Sequence, residues 1–491
     1  MLIPIPFKML RHRDNTHLSS SRLGAVRLAG GRQVGNCLVA GDQCGVSDCL
    51  RIQAQFIVAS PWEVYHPGQI VIRNEKLVEV CASTSSRPDI DLPHSVLLPA
   101  LVNPHTHLEF SDLDQPIAAG RSFPEWISAV VKHRRENQSS NSDLASARAK
   151  SVIAKGLQQA NETGTAVLGD IVSMPWQPNL LSQRTAEETL ASSQTATERR
   201  LINDCHRHFP ANTGTRVVAF PEVIGLDAAR LNAVCDWAES LLSGHSQINA
   251  DISSLVAIGV SPHAPYSLLW PTVAEFINRI PVHIPTAMHV AESEDELQWL
   301  RSGSGPFREA FERLDLPVKP DCRNCPTIEQ CIGMLSRRKH GLLIHGNYLT
   351  NGQIQQLAQS PSISVVYCPR THAHFGHHRY PLPSLQAASV RVVLGTDSRA
   401  SSPDLNLWLE VVQARERHAE LSPQQALAMV TCDAARALGV DRDYGQLRAG
   451  LFAAVATVAS QPHWNTLNLL EEMTLTPLAV RPLAAAIDQS R

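Results

Sequence analysis

Eight short apolar runs, rich in Val, Ile, Leu and Ala, punctuate residues 95 to 398. They are SVLLPALVNPH (95–105), TAVLGDIV (165–172), TRVVAFPEVIG (215–225), LVAIGVSPHAP (255–265), PTAMHVAES (285–293), GLLIHGNYL (341–349), SISVVYCPR (362–370) and VRVVLGTDS (390–398). None alternates apolar with polar residues, as a strand with one face in water would. Continuous runs mark strands buried on both faces, the situation of a parallel sheet covered by helices. Longer stretches of helical spacing separate them. Between the first two, Ser142 is suited to cap a helix over Asp143 to Glu162, and Gly164 to close it. Eight such strands with helical connections predict an α/β fold, a (β/α)8 TIM barrel over residues 96–440.

The flanks have a different rhythm. From Arg51, RIQAQFIVA, QIVIRN and KLVEVCA read as strands separated by Pro-Gly and Asn-Glu turns. GQLRAGLFAAVATVA (445–459) and PLAVRPLAA (477–485) supply similar runs after the barrel. Chain ends commonly meet at a domain surface, so residues 51–95 and 441–491 are expected to build one small β-sandwich from both flanks. Residues 1–50 mix Arg, Ser, Gly and Cys without a sustained period and are expected to be a poorly ordered extension; a targeting segment or a misplaced start is the alternative.

Composition narrows the partners. The 43 basic against 46 acidic residues leave a net charge of −3, without the basic excess of a nucleic-acid binder. No apolar run approaches the roughly 18 residues of a spanning helix, and the opening MLIPIPFKMLRHRD lacks the order of a signal peptide. Eleven cysteines, an odd number scattered over 491 residues, suit reduced thiols. A cytoplasmic protein acting on a small molecule is expected, with no nucleic-acid or membrane partner; assembly into a homo-oligomer is left open.

In a barrel of parallel strands, chemistry sits at the C-terminal strand ends. There the first run carries His105 and His107, the fifth His289 and Glu292, the sixth His345 and the eighth Asp397. His105 and His107 are two apart, so on an extended strand both imidazoles share one face. Three neutral imidazoles and a carboxylate suit one divalent cation of the Zn²⁺ or Fe²⁺ kind better than Mg²⁺ or Ca²⁺. A water on such an ion has its pKa lowered from 15.7 toward ~7, which makes hydrolysis the natural reaction. With 21 histidines, satisfied core imidazoles are the competing reading of any single pair. That reading does not predict candidates at the ends of four separately identified strands.

Taken together, LLPALVNPHTHLE, HVAESEDE, LLIHGNYL and VVLGTDS resemble the amidohydrolase superfamily, in its branch of metal-dependent aminohydrolases that deaminate nucleobases and nucleosides. The resemblance runs over about residues 51 to 485. It implies that His105, His107, His289 and Asp397 bind one metal, with Zn expected before Fe, that Glu292 shuttles protons and that His345 positions the attacking water. Asp397 would also act as a base. Ala100 departs from the glycine usual before Leu-Val-Asn. Binuclear relatives carry a carboxylated lysine near the fourth strand; SPHAPYS has none, in keeping with a single metal. SPHAPY also resembles a segment of nucleoside and thioadenosine deaminases, implying that His263 touches substrate. Trp126, in FPEW, could stack on a base or simply pack in the core.

The stretch CPRTHAHFGHHRYPLP (368–383) resembles the aminofutalosine deaminase branch, whose substrate bears an adenine and a benzoate; Arg370 could fork that carboxylate or bond to nearby carbonyls. Hydrolytic deamination of an aminopurine nucleoside, such as aminofutalosine or a thioadenosine, is therefore expected. Guanine deamination, triazine dechlorination and a noncatalytic metal-binding scaffold or ligand sensor are the alternatives. Cys322, Cys325 and Cys331 are one thiol short of a four-Cys zinc site, and free thiols are expected there.

Overall fold

The computed structural model describes residues 49–83, 87–120, 122–137, 142–181, 215–244, 256–314, 322–484 and 487. The expectation for the N-terminal extension thus falls almost wholly outside the described residues. In chain order the strands are β1 (Leu50–Ser60), β2 (Glu63–Tyr65), β3 (Gly68–Arg73), β4 (Lys76–Ala82), β5 (Ile90–Pro99), β6 (Leu101–His107), β7 (Thr165–Val172), β8 (Arg216–Val223), β9 (Val256–Ile258), β10 (Ser261–Pro262), β11 (Thr286–Val290), β12 (Gly341–His345), β13 (Ile363–Tyr367), β14 (Arg391–Leu394), β15 (Asp397–Ser398), β16 (Val455–Ala459) and β17 (Arg481–Pro482).

Both flanks do join. They form one seven-stranded sheet in the order β17-β16-β5-β1-β3-β4, with β2 paired to β1. The expected β-sandwich is not confirmed. β5 lies parallel to β1 and antiparallel to β16, so the C-terminal strands extend the N-terminal sheet through hydrogen bonds rather than stacking on it. Ile52, Ile70, Ile72, Leu77 and Leu97 form an apolar cluster with Leu447, Val455 and Leu483 from the far end of the chain. Phe56, Val58, Val96, Leu98 and Val458 join the large core of the helices and parallel strands instead. Period-two alternation thus gives this sheet two different apolar neighbours.

The run 95–105 proves to be two strands in two sheets. Pro99 pairs with Val455 in the flanking sheet, whereas Leu101 pairs with Thr165 of β7, and the chain changes sheets at Ala100. The boundary expected at 95/96 therefore falls about five residues later, because apolar strands of either sheet look alike when both faces are covered.

The parallel strands make a TIM-barrel-like α/β fold. Among the described residues they form two hydrogen-bonded segments, β15-β6-β7-β8 with β9 and β10 both on β8, and β11-β12-β13-β14. A parallel bridge between Val260 and Thr286 links the segments on one side, and the step from β14 to β15 links them on the other. The fourth and eighth runs are each split, the fourth at Gly259, where a Cβ would lie 2.5 Å from the Phe220 ring. Leu342, Ile344, Val366 and Val393 form one cluster, while their neighbours Leu343, Val365, Val392 and Leu394 pack with helix residues Ile354, Leu357 and Leu385. Both strand faces are dry, as the unbroken apolar runs require. The helix Ser142–Glu162 forms where its spacing predicts, and Gly164 follows it at φ 78°. No helix of the described residues is long and apolar enough to cross a membrane.

Candidate metal and active site

The strand ends bring the predicted side chains together. One group of ligand atoms within 4.8 Å of one another comes from His105, His289 and His345, and a second from His105, His107 and Asp397. His105 belongs to both, so the two groups adjoin. Asp397 Oδ1 lies 3.5 Å from His105 Nε2 and 3.8 Å from His107 Nε2. The His105 and His289 ring centroids are 5.0 Å apart, and those of His289 and His345 are 5.5 Å apart. His345, expected only to position water, stands among the ligand atoms themselves.

The donors fit a cation on grounds of hydrogen bonding. Both ring nitrogens of His105 and Nδ1 of His107 are buried without a hydrogen-bond partner, an expensive arrangement unless something else satisfies them. Burial first, then neighbouring imidazoles, holds His107 and His289 well below the ordinary histidine range, so both rings are neutral and able to ligate. Burial alone would raise Asp397, but His105, His345 and His107 outweigh it and keep the carboxylate ionised. A soft-to-borderline ion of the Zn²⁺ or Fe²⁺ kind matches three or more nitrogens and one oxygen.

Local backbone explains how the groups are aimed. His345 has φ 68° and Asp397 φ 56°, left-handed conformations that cost stability in non-glycine residues and cluster at functional sites. Asp397 is held by Ser398 N–H donating to Oδ1 at 2.7 Å and by the Ser401 hydroxyl donating to Oδ2 at 3.0 Å. Buried Asn103 ties β6 to the turn before β15: its Nδ2 donates to Thr396 Oγ1 at 2.8 Å, and its Oδ1 accepts from His105 N–H at 3.2 Å. The Tyr380 hydroxyl donates to the His345 carbonyl at 2.9 Å. The backbone carbonyl of His263 lies 3.1 Å from His289 Nδ1, which orients that ring and leaves Nε2 toward the site.

Glu292 Oε1 lies 3.3 Å from His345 Nε2. Burial raises the Glu292 carboxyl well above its usual range, and the Asp397 and Glu296 charges raise it further. Its backbone is fixed from two sides: Glu292 N–H donates to Glu296 Oε2 at 2.7 Å, and Asn347 Nδ2 donates to the Glu292 carbonyl at 2.8 Å. Glu296, the last Glu of AESEDE, also accepts from Ala291 N–H at 3.0 Å. These supports escape a motif reading because they are ordinary residues whose value lies only in where they point.

Burial pushes Glu296 up to about 7, against the backbone donors of Glu292, Ala291 and Ser293 that pull it down. A carboxyl whose folded pKa exceeds its unfolded one binds more protons when folded, so its stability contribution is full below about 4.5 and is lost as pH rises to about 7. Glu296→Gln is therefore expected to flatten the fall of melting temperature between these pH values. An unchanged slope would exclude Glu296 as its source.

The expected substrate contacts divide. His263 is partly buried, with Nδ1 2.7 Å from Ser267 Oγ and Nε2 3.8 Å from Glu222 Oε1. Burial, then the Arg134 charge, pushes its pKa down to about 3, so it presents a neutral ring beside His289. Trp126 stacks on Phe123 at 5.6 Å, meets Phe375 edge-on at 5.1 Å, and donates from Nε1 to the Ala400 carbonyl at 3.3 Å. Arg370 does not stand free for a substrate carboxylate. Its Nε donates to Glu410 Oε1 at 2.6 Å and its Nη2 to Asp404 Oδ1 at 2.7 Å, with further bonds to the Asp404 and Asn406 carbonyls. Glu410 is fully buried, and the guanidinium is consumed in neutralising it. Sequence reasoning passed over another, partly buried cation near the site: Arg134 Nη2 donates to Glu109 Oε1 at 2.6 Å and lies 3.7 Å from Glu222.

Known proteins resemble this chain over most of its length. The amidohydrolase family model matches residues 96–479. An aminodeoxyfutalosine deaminase from a Nitratiruptor species is 25% identical over 374 residues, covering 74% of this chain and 80% of that one. A 5-methylthioadenosine/S-adenosylhomocysteine deaminase from Desulfitobacterium hafniense is 25% identical over 425 residues, 83% of this chain and 84% of that one. The crystal structure of Helicobacter pylori aminofutalosine deaminase in complex with methylthio-coformycin superposes with a TM-score of 0.65 at 18% identity, covering 87% of this chain and 96% of that chain. With the family match spanning well over half of its length, the protein is an enzyme of the amidohydrolase family.

Proposed function

We propose that the protein hydrolytically deaminates an aminopurine nucleoside, such as aminofutalosine or a thioadenosine, with one Zn²⁺ or Fe²⁺ held by His105, His107, His289 and Asp397. The observation that carries this reading is the Glu292 carboxyl, buried and raised, 3.3 Å from His345 and beside the ligand group. The relatives' names support the substrate class. When bound, the cation supplies Lewis-acid activation of the attacking water. Protonated Glu292 would give its proton to the ring nitrogen as the water oxygen bonds to the amino-bearing carbon, and ionised Asp397 would take the proton that water releases; the remaining hydroxyl proton, passed through the emptied Glu292 carboxylate, would go to the amine, which leaves as ammonia as its bond to carbon breaks. His345 orients the water through Nε2, and Asp397 accepts a proton while ionised. His263 and Trp126 would be the side chains to meet the heterocycle.

The parallel strands from Leu101 to about residue 440 would form a complete eight-stranded barrel, with the segments 51–99 and 441–491 as its companion β-domain. The same reading places the protein in the cytoplasm, where eight described cysteines without disulfides are at home.

Ammonia release from the metal-loaded protein tests the proposal across aminofutalosine, methylthioadenosine, S-adenosylhomocysteine, adenosine and guanine, with chloride release followed for a chlorotriazine. The expected result is that an adenine nucleoside gives a kcat/KM at least about 100-fold above guanine and the triazine, the discrimination a few polar contacts supply. Preference for guanine or the triazine would replace the substrate class. Binding of metal and ligand without turnover of any compound would support the noncatalytic scaffold.

A further inference from the structure

Away from the metal ligands, the loop after β13 and the helix Leu407–Arg417 enclose a cavity of about 200 Å³ lined by Tyr367, His372, His377, Arg379, Tyr380, Arg417 and His418. At roughly 30 Å³ per water, it would hold about six. No carboxylate and no metal-centre side chain is among the lining residues. Nε2 of His372 and Nε2 of His377 are buried without hydrogen-bond partners, and His372 is only 8% exposed. Two uncompensated polar atoms at one dry wall call for a polar occupant. Their rings are 5.3 Å apart, close enough to serve the same one.

The sign of that occupant follows from the donors. Burial, aided by neighbouring cationic groups, pushes His372 down to about 3 and His377 to about 4, so both rings are neutral. Tyr348 Oη lies 3.0 Å from His377 Nδ1; with Tyr348 donating, the ring proton sits on Nε2 and points to an acceptor. The Arg417 guanidinium has no ion pair or hydrogen bond among the described residues. Arg379 is shared with Glu420 at 2.9 Å, and Glu420 also lies 3.4 Å from His418 Nδ1, which places a carboxylate at the rim. Two guanidinium groups and the His377 Nε2–H donor stand over an apolar floor made by the stacked rings of Tyr367 and Tyr380, 3.8 Å apart. Such a set selects an oxyanion over a cation or a neutral apolar molecule.

We propose that this cavity binds a small oxyanion of the phosphate or carboxylate class, at a site separate from the metal centre. Its floor residue Tyr380 is also the side chain that braces the His345 carbonyl, so the occupant rests against a support of the centre.

Calorimetric titration of the metal-loaded full chain with sodium phosphate, and in a second arm with sodium benzoate, at ionic strength matched by chloride, tests this. Saturable one-to-one binding of either anion is expected, with the arm that binds identifying the source. Arg417→Gln and His377→Leu should each weaken it about tenfold, the worth of one charge-assisted hydrogen bond. Glu420→Gln should tighten it by removing the competing carboxylate. Arg417 is exposed, so its variant tests the site even where His377→Leu fails to fold. Absence of saturable binding in both arms, or binding that survives unchanged in Arg417→Gln, as it would for phosphate on the metal itself, overturns the proposal.

Discussion

Glu292→Gln is expected to lower the turnover number for ammonia release by about 10²- to 10⁴-fold while leaving metal content unchanged. The amide is nearly isosteric with the carboxyl, and the bonds that hold residue 292 in place involve its backbone: N–H to Glu296 and C=O from Asn347. Neither is lost. What disappears is the capacity to take up a proton and return it. In the native protein, burial and the nearby Asp397 and Glu296 charges raise this carboxyl well above its usual range, which favours its proton-bearing form. A Gln side chain cannot carry that proton at any pH, and the departing amine must then leave unprotonated or find a proton in water. Steady-state assays and metal analysis on the same preparation decide the matter. Turnover within tenfold of wild type would remove Glu292 from the proton path.

Asp397→Asn should strike the cation itself. Asp397 supplies the negative charge of the ligand group, at 3.5 Å from His105 and 3.8 Å from His107. Without it the cation would sit among neutral imidazoles only, in a buried site where charge is costly to leave uncompensated. The hydrogen bonds from Ser398 and Ser401 can still reach an amide oxygen, so the fold is expected to survive. Metal retained after exhaustive dialysis should fall below about a tenth of the wild-type value, since loss of even a supporting group typically costs 10- to 100-fold in metal affinity. Activity should fall with it. Chelator treatment of the wild type should abolish turnover, and Zn²⁺ or Fe²⁺ should restore it, whereas the Asn variant should respond weakly to either. Full metal occupancy in Asp397→Asn would show that the imidazoles alone hold the ion.

Much of this site was legible before any coordinates because strand ends are marked in the chain. An apolar run that stops at His107, Glu292, His345 or Asp397 announces both a buried strand and what stands at its mouth. The flanking strands were equally plain, since RIQAQFIVA and FAAVATVA differ in rhythm from the helical stretches around them. The sequence left open how the strands combine. An apolar run covered on both faces carries no mark of which sheet it belongs to, so SVLLPALVNPH read as one strand although it changes sheets at Ala100. The same limit hid that the two flanks extend one seven-stranded sheet.

The sequence by itself determined the kinds of ligand, their places at strand ends and the reaction class they permit, because each is a local property of residue type and spacing. Only the tertiary structure decided which charges are already spent. Arg370 has the geometry to grip a carboxylate wherever it stands, but Glu410 and Asp404, 40 and 34 residues further along, reach it first. Asn103, Glu296 and Asn347 owe their roles to neighbours brought near by folding, as does the cavity around His372 and Arg417. Electrostatic and hydrogen-bond pairing depends on distance in space, and a linear sequence does not contain that distance.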